Sequence, residues 1–250
     1  MADRSSIEWT EATWNPTTGC DRTSPGCDHC YAATLAKRLK AMGQPKYQAD
    51  GDPRTSGPGF AISSHLDSLD IPRHWRAPRT VFVNSMSDLF HGAVDEEFIA
   101  QVFEVMADCP RHTFQVLTKR SQRLAALADR LNWPANVWMG VSIENDRYRF
   151  RADDLRSVDA AVRFLSVEPM LGPVGNLDLD GIDWVIAGGE SGAGARPVDP
   201  GWVRDLRDRC IGGGIAFFFK QWGGTTPKAG GRILDGRTWD QMPNVVAAAG

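Results

Sequence analysis

Three of the five cysteines crowd into one short stretch, Cys20, Cys27 and Cys30, spaced C-x6-C-x2-C with Tyr31 directly after the last. Gly, Pro, Thr, Ser and Asp fill the stretch TWNPTTGCDRTSPGCDHCY, so it reads as a loop. Thiolates are soft ligands suited to iron–sulfur clusters, zinc or copper. A closed structural zinc site takes four protein ligands, and this loop supplies three. His29 is a conceivable fourth, but its place between Asp28 and Cys30 gives awkward geometry. Three cysteines on a four-iron cluster leave one iron open to a small chelating ligand. Cys109 precedes Pro110 and Cys210 ends a helical stretch, so both are expected to be buried small hydrophobes. An odd cysteine count with this crowding is no disulfide framework, and a reducing compartment is expected.

Ionisable residues gather in a second pattern. Each apolar run passes into small or charged residues at its C-terminal edge. TVFV leads into Asn84, Ser85, Met86, Ser87 and Asp88; FQVL into Thr118, Lys119 and Arg120; WMGV into Ser142, Ile143, Glu144 and Asn145. The run holding Ser166 leads into Glu168 and Pro169, WVIA into Gly188, Gly189, Glu190 and Ser191, and AFFF into Lys220, Gln221 and Trp222. Loops are polar in general. A succession of carboxylates, lysines and hydroxyls is harder to ascribe to that alone. The glycine pair suggests a close backbone approach or an unusual turn.

The elements that would position these groups alternate along the chain. A helix is expected from Asp28 to Met42, with Ala32, Leu35, Ala36 and Leu39 on its apolar face, followed by a long loop over residues 44–59. Further helices are expected at 95–107, after Ser121 as N-cap, at 146–157 and at 200–210. The runs between them are apolar on both faces, as buried parallel strands are. Counting a lead-in strand before Pro16 and an ambiguous one near Phe60, the pattern predicts an α/β fold, a partial or complete (β/α) barrel of about six to seven βα units. Residues 1–224 are expected to form this one domain and 225–250 a C-terminal extension, with a hairpin at GGRILDGRTWD and a frayed small-residue end. The C-terminal ends of barrel strands converge on one face, where active sites sit. The cysteine loop follows the first strand and so belongs to that face.

Composition excludes several classes. The 250 residues suffice for a full core, and a formal net charge of −3 argues against a whole-surface nucleic-acid binder. Any such contact must be local. Arg147, Arg149 and Arg151, interleaved with Tyr148 and Phe150, form one small basic-aromatic patch, although Asp153 and Asp154 follow and such runs are commonly solvated helix faces. No apolar run reaches membrane-span length and the N-terminus lacks a signal-peptide layout, so a cytoplasmic protein with no membrane contact is expected. Trp222 stands out as an aromatic residue at a strand end.

The cysteine loop on a barrel pattern resembles the radical S-adenosylmethionine (SAM) superfamily. The C-x2-C half and the aromatic Tyr31 match it; the first gap does not, since the commonest spacing is C-x3-C-x2-C and here Asp21 to Gly26 lie between the first two cysteines. The chain is also similar to an uncharacterised, phage-associated three-cysteine family through TWNPTTGC, NSMSDLFH, TKR, GVSIEN, SVEP, GGESG and FFFKQWG, which together cover most of the chain up to Gly224. The resemblance implies a [4Fe–4S] cluster on Cys20, Cys27 and Cys30, with SAM on the open iron and an electron donor of flavodoxin or ferredoxin type. It implies that Asn84, Ser85, Ser87 and Asp88 lie near the SAM amino group, that Ser142 and Glu144 meet the ribose, and that Lys119, Arg120 or Lys220 pairs with the carboxylate. Gly188, Gly189 and Glu190 would meet adenine, ribose or substrate, and Glu168 shares their face. The phage association of the similar family makes a nucleobase or nucleic acid the expected substrate class, with photoproduct repair and base modification as precedents within the superfamily. A zinc-clipped protein and a nucleic-acid-binding protein without catalysis are the rival readings.

Overall fold

Seven short apolar runs pair into one parallel sheet in the computed structural model, which describes residues 5, 7–226 and 228–244. The chain begins with β1 (Ala12–Thr13) and β2 (Thr17–Thr18), then the cysteine loop, α1 (Tyr31–Ala41) and β3 (Ser63–Ser64). There follow β4 (Thr80–Val83), α2 (Glu96–Ala107), β5 (Thr113–Thr118), α3 (Ser121–Leu127), β6 (Val137–Ser142) and α4 (Phe150–Arg156). The last elements are β7 (Val162–Val167), β8 (Trp184–Gly188), α5 (Pro200–Gly212) and β9 (Ala216–Gln221). The sheet order is β1-β4-β5-β6-β7-β8-β9, every pair parallel.

The sheet is curled. From β1 to β8 there are five inter-strand steps, which on a flat sheet would span about 24 Å. Yet the Trp9 ring, just ahead of β1, lies 6.1 Å from the Trp184 ring of β8 and 4.8 Å from Phe82 of β4. Trp138, Phe164 and Phe218 complete this plug on the concave face. The helices cover the convex face over a larger core that includes Val81, Phe103, Leu124, Val185 and Phe217. The result is a partial (β/α) barrel, as the alternation of elements predicts.

Two details differ from expectation. Phe60 adds no strand to the sheet; it is buried against Ala32, Ala36 and Met86, and only Ser63–Ser64 pairs, antiparallel to β2. Ser121 is the first residue of α3 rather than its cap, because its hydroxyl donates across to Asp154 of α4 at 2.6 Å. As the Gly, Pro and Asp content between them predicts, β7 and β8 are joined by a loop, with no α-helix among the described residues. Beyond β9, the Phe219 amide donates to the Trp239 carbonyl at 2.8 Å and Asp240 bridges Phe218 antiparallel, so the extension covers the edge strand. Leu234 and Arg237 bridge at the expected hairpin. The small-residue end from 245 onward lies outside the described residues. No described helix is long and apolar enough to cross a membrane.

Candidate functional site

The cysteine loop sits across the C-terminal mouth of the half-barrel, and almost every residue of its long first gap is tied down. Gly19 opens it at φ +85°, where an added Cβ would stand 2.0 Å from the Ala61 carbonyl oxygen, so only glycine fits. Ser87 donates its hydroxyl to the Gly19 carbonyl at 2.7 Å. Asp21 accepts from Thr55 at 2.6 Å and faces His91 Nε2 at 3.0 Å, and the Arg22 amide donates to the Thr55 carbonyl. Ser24 donates to Glu144 at 2.6 Å, and a Cβ on Gly26 would fall 2.6 Å from the same carboxylate. Pro25 opens a 3-10 turn through Cys27, and Cys30 stands at the N-cap of α1.

Two buried charge networks hold the loop from below. In the first, Asp88 accepts from the Thr118 hydroxyl at 2.6 Å and from the Lys119 amide at 3.0 Å, and pairs with Arg120 at 2.9 Å. Arg120 in turn reaches Cys20 Sγ at 3.4 Å and the Asp21 carbonyl at 3.1 Å. In the second, the fully buried Glu144 accepts from Lys119 Nζ at 2.5 Å and from Arg151 at 3.0 Å. Burial works against its ionisation, but Lys119 and Arg151 outweigh that and hold its carboxyl below the usual range. Arg151, read from sequence as part of a basic patch, is buried beneath Tyr148, its guanidinium 4.5 Å from the ring centre.

A third tie comes from the far side of the mouth. Arg196, in the loop after β8, donates to the Pro25 carbonyl at 2.7 Å and lies 3.4 Å from Asp28. Glu190 holds Arg196 through its Nε at 2.9 Å and faces His29 Nδ1 at 3.0 Å. Burial opposes the charge on Glu190, yet the Arg196 and His29 contacts dominate and bring its pKa down to about 2.

The opposite wall is lighter. Lys220 pairs with Glu168 at 3.2 Å, Ser166 lies 3.4 Å from the same carboxylate, and Gly188 leaves the room Glu168 needs, since a Cβ there would stand 2.4 Å from it. Gly189 has its own steric reason: a Cβ would meet the Trp222 carbonyl at 2.0 Å. The close approach signalled by the glycine pair is therefore to the chain itself. Trp222 donates its indole N–H to the Ile233 carbonyl at 2.8 Å and packs edge-on to Phe219, so it anchors the C-terminal extension. Of the residues at the end of β4, Ser85 bonds with Asn15, and Ser87 and Asp88 serve the loop. Asn84 donates to the Thr17 hydroxyl, but its buried Oδ1 has no partner among the described residues. Ser142 gives its carbonyl to Arg151 at 2.7 Å.

The thiols differ in their surroundings. Burial, with the charge of Asp88, pushes Cys20 up to about 12, and Arg120 offsets this only in part. Burial also raises Cys30. For Cys27 burial is outweighed by the charge of Lys119 and by hydrogen bonds at Thr23 and Ser24, which lower its pKa. Cys109 and Cys210 are buried in the main core, as expected of small hydrophobes.

The sequence matches, over residues 4–243, the family described as Protein of unknown function (DUF5131). The chain belongs to this family. No curated protein matches it. Similar solved structures are of spore photoproduct lyase. One, complexed with dinucleoside spore photoproduct, is 16% identical with a TM-score of 0.45, covering 78% of this chain and 59% of that one. A mutant of the lyase is 17% identical with a TM-score of 0.49, covering 84% and 63%. The DUF5131 chain thus spans about three fifths of the length of those lyase chains.

Among the described residues no three His, Cys, Asp or Glu side chains converge on a point that would hold a single metal ion. Cys20 Sγ faces Arg120, and Cys27 Sγ faces the Thr23 and Ser24 hydroxyls. The donor set nonetheless fits an open cluster: three thiols in one loop, cationic Lys119 and Arg120 beside them, and an orphaned buried acceptor at Asn84. The loop contacts of Arg196, Ser24, Asp21 and His91 were not singled out from the sequence. Arg196 sits in a glycine-rich loop with no periodicity, so nothing local marks it.

Proposed function

We propose that the chain is a radical SAM enzyme that acts on a nucleobase or nucleic acid, with Cys20, Cys27 and Cys30 as ligands of a [4Fe–4S] cluster and a flavodoxin- or ferredoxin-type protein as electron donor. One observation carries the reading: a loop that supplies three thiols is fastened to the C-terminal mouth of a half-barrel, with Lys119 and Arg120 at its sulfurs. When bound, the cluster supplies the electron that cleaves SAM and yields a radical able to abstract hydrogen. The protein's part is positioning and charge. Arg120 and Lys119 favour the thiolate forms of Cys20 and Cys27 that ligation requires. Asn84 Oδ1 is an acceptor free to take an ammonium group. Glu144, already ionised and held by three donors, fixes Lys119 at the mouth. Glu168 and Lys220 line the opposite wall, where an acceptor and a donor stand side by side.

Anaerobic reconstitution with iron and sulfide tests this. Brown protein with about four irons is expected, and 5′-deoxyadenosine should form from SAM under strong reductant. Cys27→Ala should form none. Colourless protein holding one tight zinc would restore the metal-clip reading. Tight, salt-dependent nucleic-acid binding without SAM cleavage would leave a binding protein.

A further inference from the structure

Helix α1 leaves the cysteine loop with an unusual outer face. Tyr31, Leu35, Arg38 and Met42 recur at i, i+4, i+7 and i+11, which sets them on one line along the helix. The three apolar members are exposed by 57%, 38% and 68% respectively. The inner face, through Ala32 and Ala36, is spent on Phe60 and Met86. Tyr31 is held where the helix meets the mouth, because its hydroxyl donates to the Ser85 carbonyl at 2.6 Å. Its ring is therefore open while its orientation is fixed.

The charges around this line are unbalanced. Every carboxylate between residues 20 and 60 is engaged: Asp21 by Thr55 and His91, Asp28 by Arg196, Asp50 by Lys40, and Asp52 by the Arg54 amide. On the exposed side of α1, Lys37 and Arg38 have no carboxylate partner among the described residues. In a chain of net charge −3, these two uncommitted cations share the exposed side of one helix with the open Tyr31 ring.

We infer that the outer face of α1 is a docking track for a single-stranded polynucleotide, which it leads to the mouth beside Cys30. This rests on the nucleic-acid part of the proposed function for its substrate class. The chemistry is that of a backbone held by long cations and a base stacked on a fixed ring. At 1.5 Å per residue α1 is about 16 Å long, room for about four nucleotides at stacked spacing. A docked protein fits less well. The stripe offers roughly 16 by 10 Å, far below the ~800 Å² a stable protein partner covers.

The test uses the full chain without its cluster, so its outcome does not depend on SAM cleavage. Fluorescence anisotropy with a labelled oligothymidylate and a labelled oligouridylate should show binding that weakens with salt, with a slope near −0.7 per phosphate contacted. The two probes separate a DNA track from an RNA track. Lys37→Gln with Arg38→Gln should flatten the slope by about 1.4. Tyr31→Ala should weaken binding about tenfold or more and leave the slope unchanged. Arg130→Gln, which removes a charge paired with Glu96 on another helix, should do neither. Absence of binding to both probes overturns the inference, as do α1 variants that bind like wild type.

Discussion

The concave side of the sheet carries two opposite chemistries on the same strands. Its lower half is a dry aromatic plug of Trp9, Phe82, Trp138, Phe164, Trp184 and Phe218. A few residues further along each strand, side chains facing the same way become Asn84, Lys119, Ser142, Glu168 and Lys220. In the plug, tilted and edge-on rings fill space, and Gly140 is there because a Cβ would stand 2.4 Å from the Phe164 ring. At the mouth, nearly every group is held by charge. The difference teaches that the plug sets the curvature, and the curvature brings strand ends far apart in sequence close enough to pair.

Breaking the plug should have the largest effect. Trp184 touches Trp9, Trp138, Phe164 and Phe218 and is fully buried. Trp184→Ala should cost about 3–5 kcal/mol, read by urea unfolding, and should loosen the mouth as well as the plug. Breaking the charged half should cost less and act differently. Glu144→Gln keeps the shape but leaves Lys119 and Arg151 without a counter-charge, so a loss of about 2–3 kcal/mol is expected. Adding Lys119→Met should recover part of it, whereas no second substitution at the mouth should rescue Trp184→Ala.

The plug was far more legible than the mouth. Strands such as VWMGVS are buried along their whole length, and uninterrupted apolarity reports that directly. Phe60 shows the limit: apolar spacing signals burial but not the partner, and its partner is α1 rather than a strand. At the mouth, strand-end polarity located Glu144 and Lys119 but could not say that they bind each other and Ser24. Arg196 was beyond reach, since its contact with Pro25 joins residues 171 positions apart and no local pattern encodes it. Ser121 illustrates a smaller competition: a good cap residue was drawn off by a carboxylate on the next helix.

The smallest expected effect isolates that far contact. Glu190 is nearly buried and its folded pKa, about 2, lies below the ordinary carboxylate value of 4.5. A depressed folded pKa means that its contribution is fully present above about pH 4.5 and is lost as pH falls toward 2. Allowing for solvent at the mouth, about 1–2 kcal/mol is at stake. Acid unfolding of the wild type should show this loss, and Arg196→Met should remove most of it while leaving stability near neutral pH lower by a similar amount. The same variant releases Pro25 and Asp28, so hydrogen exchange at residues 24–30 should quicken while exchange in β6 and β7 stays unchanged. Equal quickening in those strands would mean that the mouth and the plug are one cooperative unit, and the contrast between them would be chemical only, not mechanical.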